Sequence, residues 1–277
     1  MTEHGNTSRR WFITGANSGF GMAFTQAALQ AGDEVVAAVR RPETMAALAA
    51  ERPGRLTVAE LDVRDEAARR RAVAEAGRID ILVNNAGYGI TGAVEETDEE
   101  ALRDAMEVMF FAPAALTRLV LPQMRERRGG TIAQVSSMGG LLAFAGVGAY
   151  CAAKGALEQL SEALAAEVAP LGVRVLIVEP GAFRTSFAGP DALRSAAPIA
   201  DYAQTGGATR DALSDSHGSQ DGDPAKAAAA LLDVLDWPDP PLRLALGPDA
   251  DGAIRAKLAA VTADLDITAH LSLHTSH

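Results

Sequence analysis

The stretch WFITGANSGFG, residues 11–21, decides the fold of this chain. Its first four residues predict a short buried strand, and the apolar residues after it predict a helix that ends near Ala31. Between them, Gly15, Gly19 and Gly21 allow a tight turn and a close approach of a ligand to the backbone. Free N–H groups at the start of such a helix bind pyrophosphate, so the stretch predicts a dinucleotide site.

Short apolar runs alternate with longer helical segments along most of the chain. Because the predicted strands are almost continuously apolar, they indicate a parallel sheet that is covered on both faces. Right-handed crossovers then give a Rossmann-type doubly wound α/β sheet in a single domain over residues 1–277. About seven strands are predicted, at residues 11–14, 34–39, 55–61, 79–84, 131–136, 173–179 and 242–246, with the longest helices at 98–126 and 150–169.

Residues 183–223 break this pattern, because they are rich in Gly, Ser, Asp and Pro and show weak periodicity. They follow the carboxyl end of a strand, where doubly wound folds bind ligands. A loop of this length in a compact domain is usually functional, so we expect a substrate lid, with a disordered insertion as the alternative. Apolar side chains in and before this segment suggest a partly apolar pocket: Phe144, Val147, Phe183, Phe187, Leu193, Ile199, Tyr202 and Leu213.

Composition limits the classes of partner. The chain has a formal net charge of −11 and no cluster of Lys and Arg long enough to follow a phosphate backbone, so we expect no nucleic acid partner. We find no signal-peptide core and no apolar run of the ~18 residues that span a membrane. The single Cys151 fits a reducing compartment, so we expect a soluble cytoplasmic protein. His270, His274 and His277 lack supporting ligands, and no metal site is expected.

The end of the second predicted strand bears on the choice of cofactor. An NAD site usually has an acidic residue there, which binds the ribose 2′-OH. This chain has Val39 followed by Arg40 and Arg41, and two guanidinium groups can bind a 2′-phosphate. The sequence therefore favours NADP(H) over NAD(H), unless both arginines are merely exposed.

Three polar residues form a candidate catalytic group. Tyr150 and Lys154 lie one turn apart on a predicted helix, and Ser137 precedes Tyr150 by thirteen residues. A free phenol has a pKa of ~10, but a neighbouring ammonium stabilises the phenolate and lowers that pKa. Tyrosine then becomes a usable general acid or base, and a serine hydroxyl can hold the substrate oxygen beside it. The combination predicts carbonyl–alcohol chemistry.

Together these motifs resemble the short-chain dehydrogenase/reductase family, in its single-domain branch. The matching segments occur in family order: TGANSGFG (14–21), LDV (61–63), NNAG (84–87), Ser137, YCAAK (150–154) and EPGAFRTSF (179–187). The resemblance implies an NADP(H)-dependent oxidoreductase that interconverts a carbonyl and an alcohol on a small to medium-sized, partly apolar substrate. It also implies a homodimer or homotetramer, built through the helices at 98–126 and 150–169.

The resemblance assigns roles to individual residues. It implies that Tyr150 is the general acid/base, that Lys154 binds the nicotinamide ribose and tunes Tyr150, and that Ser137 orients the carbonyl. The adenosine half of the cofactor would pass Asn84, Ala86 and Gly87, with adenine near Asp62 and Val63. The nicotinamide end would lie near Pro180, Gly181 and Thr185. The remaining expected cofactor-binding residues are Gly15, Asn17, Ser18, Gly19, Phe20, Gly21, Arg40 and Arg41.

One residue departs from the family pattern. The family has an asparagine ahead of an LTRAVLP-like run, and here, ahead of LTRLVLP (116–122), that position is Met109. In the family the asparagine holds a water that relays protons from the lysine, whereas a thioether is at best a weak acceptor. Met109 therefore puts the relay in doubt. Two further interpretations stay open: chemistry of the epimerase or dehydratase type with bound NADP(H), and a non-catalytic NADP(H)-binding protein.

Overall fold

A computed structural model describes residues 8–189 and 192–275. Its strands are β1 (Arg10–Thr14), β2 (Glu34–Val39), β3 (Leu56–Glu60), β4 (Ile81–Asn84), β5 (Gly89–Thr91), β6 (Gly130–Val135), β7 (Val173–Pro180), β8 (Leu193–Ser195) and β9 (Arg243–Leu246). Seven of them form one parallel sheet in the order β3-β2-β1-β4-β6-β7-β9. The strand order reverses beside β1, so the predicted Rossmann-type doubly wound α/β fold is confirmed.

Helices cover both faces of this sheet. They are α1 (Gly19–Gln30), α2 (Ala46–Glu51), α3 (Glu66–Ala76), α4 (Glu99–Met106), α5 (Ala112–Glu126), α6 (Gly148–Val168), α7 (Ala208–Asp215), α8 (Pro224–Leu235) and α9 (Pro248–Ser272). Because side chains alternate along a strand, Phe12 of β1 enters one hydrophobic core with Leu116, while Ile13 enters the other with Phe24 and Leu231. The two cores fix the sheet from both sides.

The long helix predicted at 98–126 is interrupted. A π-helical turn, Glu107–Phe111, joins α4 to α5. Such a turn contains one extra residue and often occurs at functional sites. By composition this helix, Glu99–Glu126, is long and apolar enough to cross a membrane, with a mean hydropathy of 1.4 over an 18-residue window. The expectation that no such run exists was therefore wrong, although 44% of the window is buried inside the protein.

The segment 183–223 is more regular than its sequence predicts. It contains β8, which pairs in parallel with β5 in a separate two-stranded sheet, and it also contains α7. A bridge between Phe183 and Gly222 brings the two ends of the segment together. Strand β8 pairs with β5, which lies about 100 residues earlier in the chain, so local periodicity does not reveal β8.

Candidate active site

A cavity of about 830 Å³ opens at the carboxyl ends of the central strands. Doubly wound folds bind their ligands at this edge of the sheet. The cavity brings together most of the predicted site residues, which are otherwise far apart in the sequence: Gly15, Asn17, Ser18, Gly19, Phe20, Arg40, Asp62, Val63, Ala86, Gly87, Ser137, Tyr150, Lys154, Pro180, Gly181 and Thr185.

The turn after β1 has the geometry that a dinucleotide requires. Gly15 and Gly19 adopt φ angles of +64° and +49°, in the region that side-chain-bearing residues rarely occupy. The N-cap residue of α1, Ser18, makes no side-chain hydrogen bond to the helix, and the first turn of α1 carries no acidic residue. The N–H groups of this turn are therefore available to an anionic ligand, and the turn fits a pyrophosphate.

Gly21 and Arg41, which the sequence assigned to cofactor binding, do not line the cavity. A Cβ atom on Gly21 would lie 2.2 Å from the carbonyl oxygen of Gly15, so this glycine allows α1 to pack against the turn. Arg41 is exposed, and its carbonyl oxygen accepts a hydrogen bond from Thr44 Oγ1. The structure therefore places Arg40, and not Arg41, in the lining, and the part of Gly21 and Arg41 in cofactor binding stays a prediction.

Asn84 does not line the cavity either. Its side chain turns into the protein interior, where Nδ2 donates to Gln134 Oε1 at 2.9 Å, and only 3% of the residue is exposed. The next residue, Asn85, lines the cavity instead. Asn85 Nδ2 donates to the carbonyl oxygen of Thr14 at 2.8 Å and so ties the end of β4 to the turn after β1. Alternation along a strand puts neighbouring asparagines on opposite sides, which the motif alone does not resolve.

The three predicted catalytic residues meet inside the cavity. Ser137 Oγ accepts a hydrogen bond from Gly139 N at 3.0 Å, which fixes the serine at the end of β6. Burial raises the pKa of Tyr150, and the nearby Ser137 hydroxyl acts in the opposite direction. The sequence predicted that Lys154 lowers the pKa of Tyr150. That prediction is wrong, because burial is the larger effect and raises the pKa. Lys154 Nζ lies 5.8 Å from the centroid of the Tyr150 ring.

Lys154 is buried to an unusual degree for a lysine. It is 4% exposed, and its Nζ atom donates to the carbonyl oxygen of Val135 at 2.7 Å. Burial lowers its pKa to about 8, and the carboxylate of Glu158, one turn later on α6, opposes that shift. The ammonium is therefore held in place but is close to losing its proton near neutral pH.

A buried cluster beneath Lys154 escaped the sequence analysis. Glu158 is fully buried, and its carboxylate accepts hydrogen bonds from Ser136 Oγ at 2.5 Å and from Arg243 Nη1 at 2.6 Å. Arg243 also pairs with Glu162 and with the buried Glu179. These partners come from α6, β7 and β9, so no local pattern joins them. The available signal was Glu158 itself, a charge on the same helix face as Lys154.

A second supporting residue fixes the loop after β7. Asp249, in the first turn of α9, accepts a hydrogen bond from Ala182 N at 2.7 Å. A Cβ atom on Gly181 would lie 2.2 Å from Asp249 Oδ2, so only glycine fits beside this carboxylate. Asp249 therefore holds the loop that contains Pro180 and Gly181 against the cavity.

Apolar side chains surround the Tyr150 end of the cavity. The Phe187 ring meets the Tyr150 ring edge-on, with the two centroids 5.4 Å apart. Of the apolar residues noted in the sequence, the lining contains Phe144, Val147, Phe183, Phe187, Leu193 and Leu213. Ile199 and Tyr202 lie outside it, because Ile199 is exposed and the Tyr202 hydroxyl donates to Glu95 at 2.6 Å.

One ion-pair cluster joins the segment 183–223 to the body of the protein. Arg194 of β8 pairs with Asp104 of α4 at 2.7 Å and lies over the Tyr88 ring, 3.9 Å from its centroid. Asp104 also accepts a hydrogen bond from the Tyr88 hydroxyl at 2.7 Å. The segment is thus attached to α4 beside the cavity.

Met109 lies behind the cavity wall. It is fully buried within the π-helical turn, and its Cγ and Sδ atoms would both be 3.5 Å from a Cβ atom on Gly87. The preceding residue, Val108, faces the cavity, whereas Met109 does not. The position at which the family pattern has an asparagine therefore carries a packed thioether.

The sequence and the geometry lead to the same family. The sequence pattern described as short chain dehydrogenase matches residues 9–194. The chain belongs to the short-chain dehydrogenase/reductase family. The chain is also 39% identical to Oxidoreductase BOA17 of Botryotinia fuckeliana over 245 residues, which cover 87% of this chain and 89% of that protein.

Two solved structures of this family support the assignment. A short-chain dehydrogenase from Streptomyces avermitilis is 47% identical, with a TM-score of 0.92 over 98% of this chain and 100% of the other. A short-chain dehydrogenase from Burkholderia cenocepacia, in complex with NADP, is 27% identical, with a TM-score of 0.75 over 97% and 98% of the two chains. The protein is therefore an oxidoreductase of the short-chain dehydrogenase/reductase family.

Proposed function

We propose that this protein is an NADP(H)-dependent oxidoreductase that interconverts a carbonyl and an alcohol on a small to medium-sized, partly apolar substrate. The observation that carries the proposal is the meeting of Ser137, Tyr150 and Lys154 in one cavity with the glycine-rich turn after β1. None of the three is remarkable in isolation. Their convergence on one cavity combines an acid/base, a hydrogen-bond donor and a cation beside a dinucleotide-binding turn.

The chemistry follows from these side chains. A bound nicotinamide supplies or accepts a hydride at the substrate carbon. Because burial raises the pKa of Tyr150, its phenol stays protonated at neutral pH and can give its proton to the carbonyl oxygen during reduction. The Ser137 hydroxyl holds that oxygen in place. Lys154 holds its ammonium beside Tyr150 and favours the phenolate that remains after the proton has left.

NADP(H) is proposed as the cofactor because of the charges at the end of β2. Arg40 lines the cavity there, and no acidic side chain follows Val39 to bind a ribose 2′-OH. Near this position Arg64 and then Arg40 lower the pKa of the Asp62 carboxyl. Arg64 is already paired with Asp62 and Asp104, whereas Arg40 forms no ion pair with another described residue, so the charge left for a ligand at this end of the cavity is that of Arg40. A 2′-phosphate suits that charge. The complex of the Burkholderia cenocepacia relative with NADP supports the same choice.

The segment 183–223 is proposed as the substrate lid. Phe187, Leu193 and Leu213 bring apolar surface to the Tyr150 end of the cavity, and Phe144 and Val147 face them from the other side. A substrate held between these residues would be largely removed from water, so a partly apolar ketone or aldehyde fits best. For the assembly we propose a homodimer or homotetramer through α6 and the helix at 98–126, where Phe111, the last residue of the π-helical turn before α5, is 51% exposed.

The decisive experiment measures stoichiometry. The protein is incubated with NADPH and a panel of carbonyl compounds of increasing apolar size, and the absorbance of the reduced nicotinamide is followed. Steady loss of NADPH matched by alcohol supports the proposal. Product without loss of NADPH would assign the chain to chemistry of the epimerase or dehydratase type. Binding of NADPH without any product would make it a non-catalytic binding protein.

A further inference from the structure

The C-terminal helix α9 projects from the body of the protein. Only its first turns are held: Ala250 is fully buried and Asp249 bonds to the loop after β7. Residues 255–275 are all exposed. Most helices in proteins are stabilised by packing an apolar face against a neighbour rather than by intrinsic propensity. A long exposed helix therefore calls for a partner that covers one of its faces.

The sequence of α9 defines which face is covered. Leu258, Val261 and Leu265 are 57%, 40% and 62% exposed, and with the partly buried Ile254 they recur at spacings of four, three and four residues. This is the spacing of a two-helix coiled coil, in which such residues form one continuous stripe. We call residues 254, 258, 261 and 265 the α9 stripe. None of them lines the cofactor cavity.

Charges beside the stripe distinguish between possible partners. Lys257 and Asp264 lie on the same flank of the stripe, seven residues apart, and neither forms an ion pair with another described residue. In an antiparallel pair of identical helices, residues on this flank face each other, so Lys257 would lie beside the partner's Asp264, and this pair would occur twice. In a parallel pair Lys257 would instead face the partner's Thr262, which is uncharged, so no ion pair would form.

The apolar residues fit the same arrangement. A twofold axis between Ala259 and Ala260 places Leu258 opposite the partner's Val261, and Ile254 opposite the partner's Leu265. Both layers then consist of two large apolar side chains. An anionic membrane surface is a poorer occupant, because acidic residues outnumber basic ones along α9.

We propose that α9 forms an interface between two copies of this chain, in which the α9 stripes pair as antiparallel helices joined by two Lys257–Asp264 ion pairs. This interface is separate from α5 and α6. It does not depend on the catalytic function, because it involves no residue of the cavity. A helix that projects from each subunit gives the assembly a contact whose residues do not line either cavity.

The test measures the mass of the full-length protein in solution by analytical ultracentrifugation. Wild type is expected at a multiple of the 28.8 kDa chain mass. Leu258→Asp, which places a charge within the stripe, and Lys257→Asp, which places like charges opposite each other, should each halve that mass. Combining Lys257→Asp with Asp264→Lys restores the opposite charges and should restore the wild-type mass. Unchanged NADPH binding by each variant controls for folding.

Three results would overturn the proposal. The first is a wild-type mass equal to one chain at micromolar concentration. The second is a mass that neither Leu258→Asp nor Lys257→Asp changes. The third is a failure of the double charge exchange to restore the mass lost in Lys257→Asp. Sedimentation of wild type, but not of Leu258→Asp, with vesicles containing phosphatidylserine would instead assign the stripe to membranes and would also count against pairing.

Discussion

Lys154 Nζ donates its hydrogen bond to the carbonyl oxygen of Val135, 2.7 Å away at the end of β6. The bond fixes the ammonium beside the strand end that carries Ser136 and Ser137. Since burial lowers the Lys154 pKa to about 8, the charge that supports Tyr150 is lost as the pH rises through that value.

The first prediction concerns the pH dependence of activity. Because kcat/KM for NADPH reports ionisations of the free enzyme, it should fall above a pKa near 8. Lys154→Arg keeps its charge at all accessible pH, so any activity that this variant retains should lack the alkaline fall. Lys226→Arg, an exposed replacement on α8, is the matched control, and its activity should still fall above a pKa near 8. A profile flat to pH 10 in wild type would contradict the prediction.

Tyr150 should be required for chemistry and not for cofactor binding. Tyr150→Phe keeps the ring that packs against Phe187 but removes the proton that passes to the substrate oxygen. Removal of a general acid typically costs about 10² to 10⁴-fold, so we expect kcat to fall by at least about 100-fold, with little change in the Kd for NADPH. Tyr202→Phe, which removes an exposed hydroxyl bonded to Glu95, is the control. Full turnover by Tyr150→Phe would refute the assignment.

Arg40 and Arg41 provide a matched pair for the cofactor. Arg40 lines the cavity and Arg41 does not. A lost charge-assisted hydrogen bond typically costs about 1.5 to 3 kcal/mol, so Arg40→Ala should weaken NADPH binding by about 10 to 100-fold and leave NADH binding nearly unchanged. Arg41→Ala should change neither. Titration of intrinsic fluorescence with both cofactors measures the effect, and an equal loss in the two variants would argue against a 2′-phosphate site at Arg40.

Met109 should serve packing rather than proton transfer. Met109→Asn puts an amide into a fully buried position, so we expect a loss of about 1 to 3 kcal/mol in the free energy of unfolding. Met109→Leu keeps the apolar volume and should cost less than about 1.5 kcal/mol. Because Met109 does not line the cavity, kcat should stay at the wild-type value in both variants. A markedly faster Met109→Asn would show instead that the missing asparagine limits the proton relay.

The cluster around Arg243 predicts a pH dependence of stability. Burial and the Glu158 carboxylate raise the pKa of Glu179 to about 7, above its ordinary value of 4.5. The folded state therefore binds a proton more tightly than the unfolded state, and the contribution of Glu179 is lost as the pH rises from about 4.5 through 7. In Glu179→Gln, the free energy of unfolding measured with urea should depend less on pH between pH 5 and 8 than in wild type. Glu167→Gln, at an exposed position, is the control and should keep the wild-type pH dependence.

Arg243→Met tests the same cluster from the other side. It leaves the buried Glu158 and Glu179 carboxylates without their cation, and breaking such a pair typically costs about 3 to 5 kcal/mol. Urea unfolding at pH 8 measures the loss. Arg255→Met removes an exposed pair with Asp251 on α9, which water and salt screen, so this variant should be hardly less stable than wild type. Equal losses in the two variants would contradict the importance of burial in this cluster.

Much of the fold and part of the site could be predicted from local sequence. The apolar strands and the glycine turn predict the sheet because both depend on neighbouring residues. The motif does not show which of the adjacent Asn84 and Asn85 side chains lines the cavity, because the two alternate at the strand end and the motif contains both. The partners of Arg243 lie 64 to 85 residues away, so they become neighbours only when β9 joins the sheet.

The extra residue in the turn Glu107–Phe111 sets the rotational phase between α4 and α5. An α-helix advances about 100° per residue, so deleting one residue there would restore a continuous helix but rotate α4 by about that angle relative to α5. With α5 fixed in the core by Leu116, Asp104 would swing away from Tyr88 and Arg194. A single-residue deletion would thus leave the composition of the helix almost unchanged and yet break the link between the 183–223 segment and α4, so that pairing of β8 with β5 would have to hold the segment without that link.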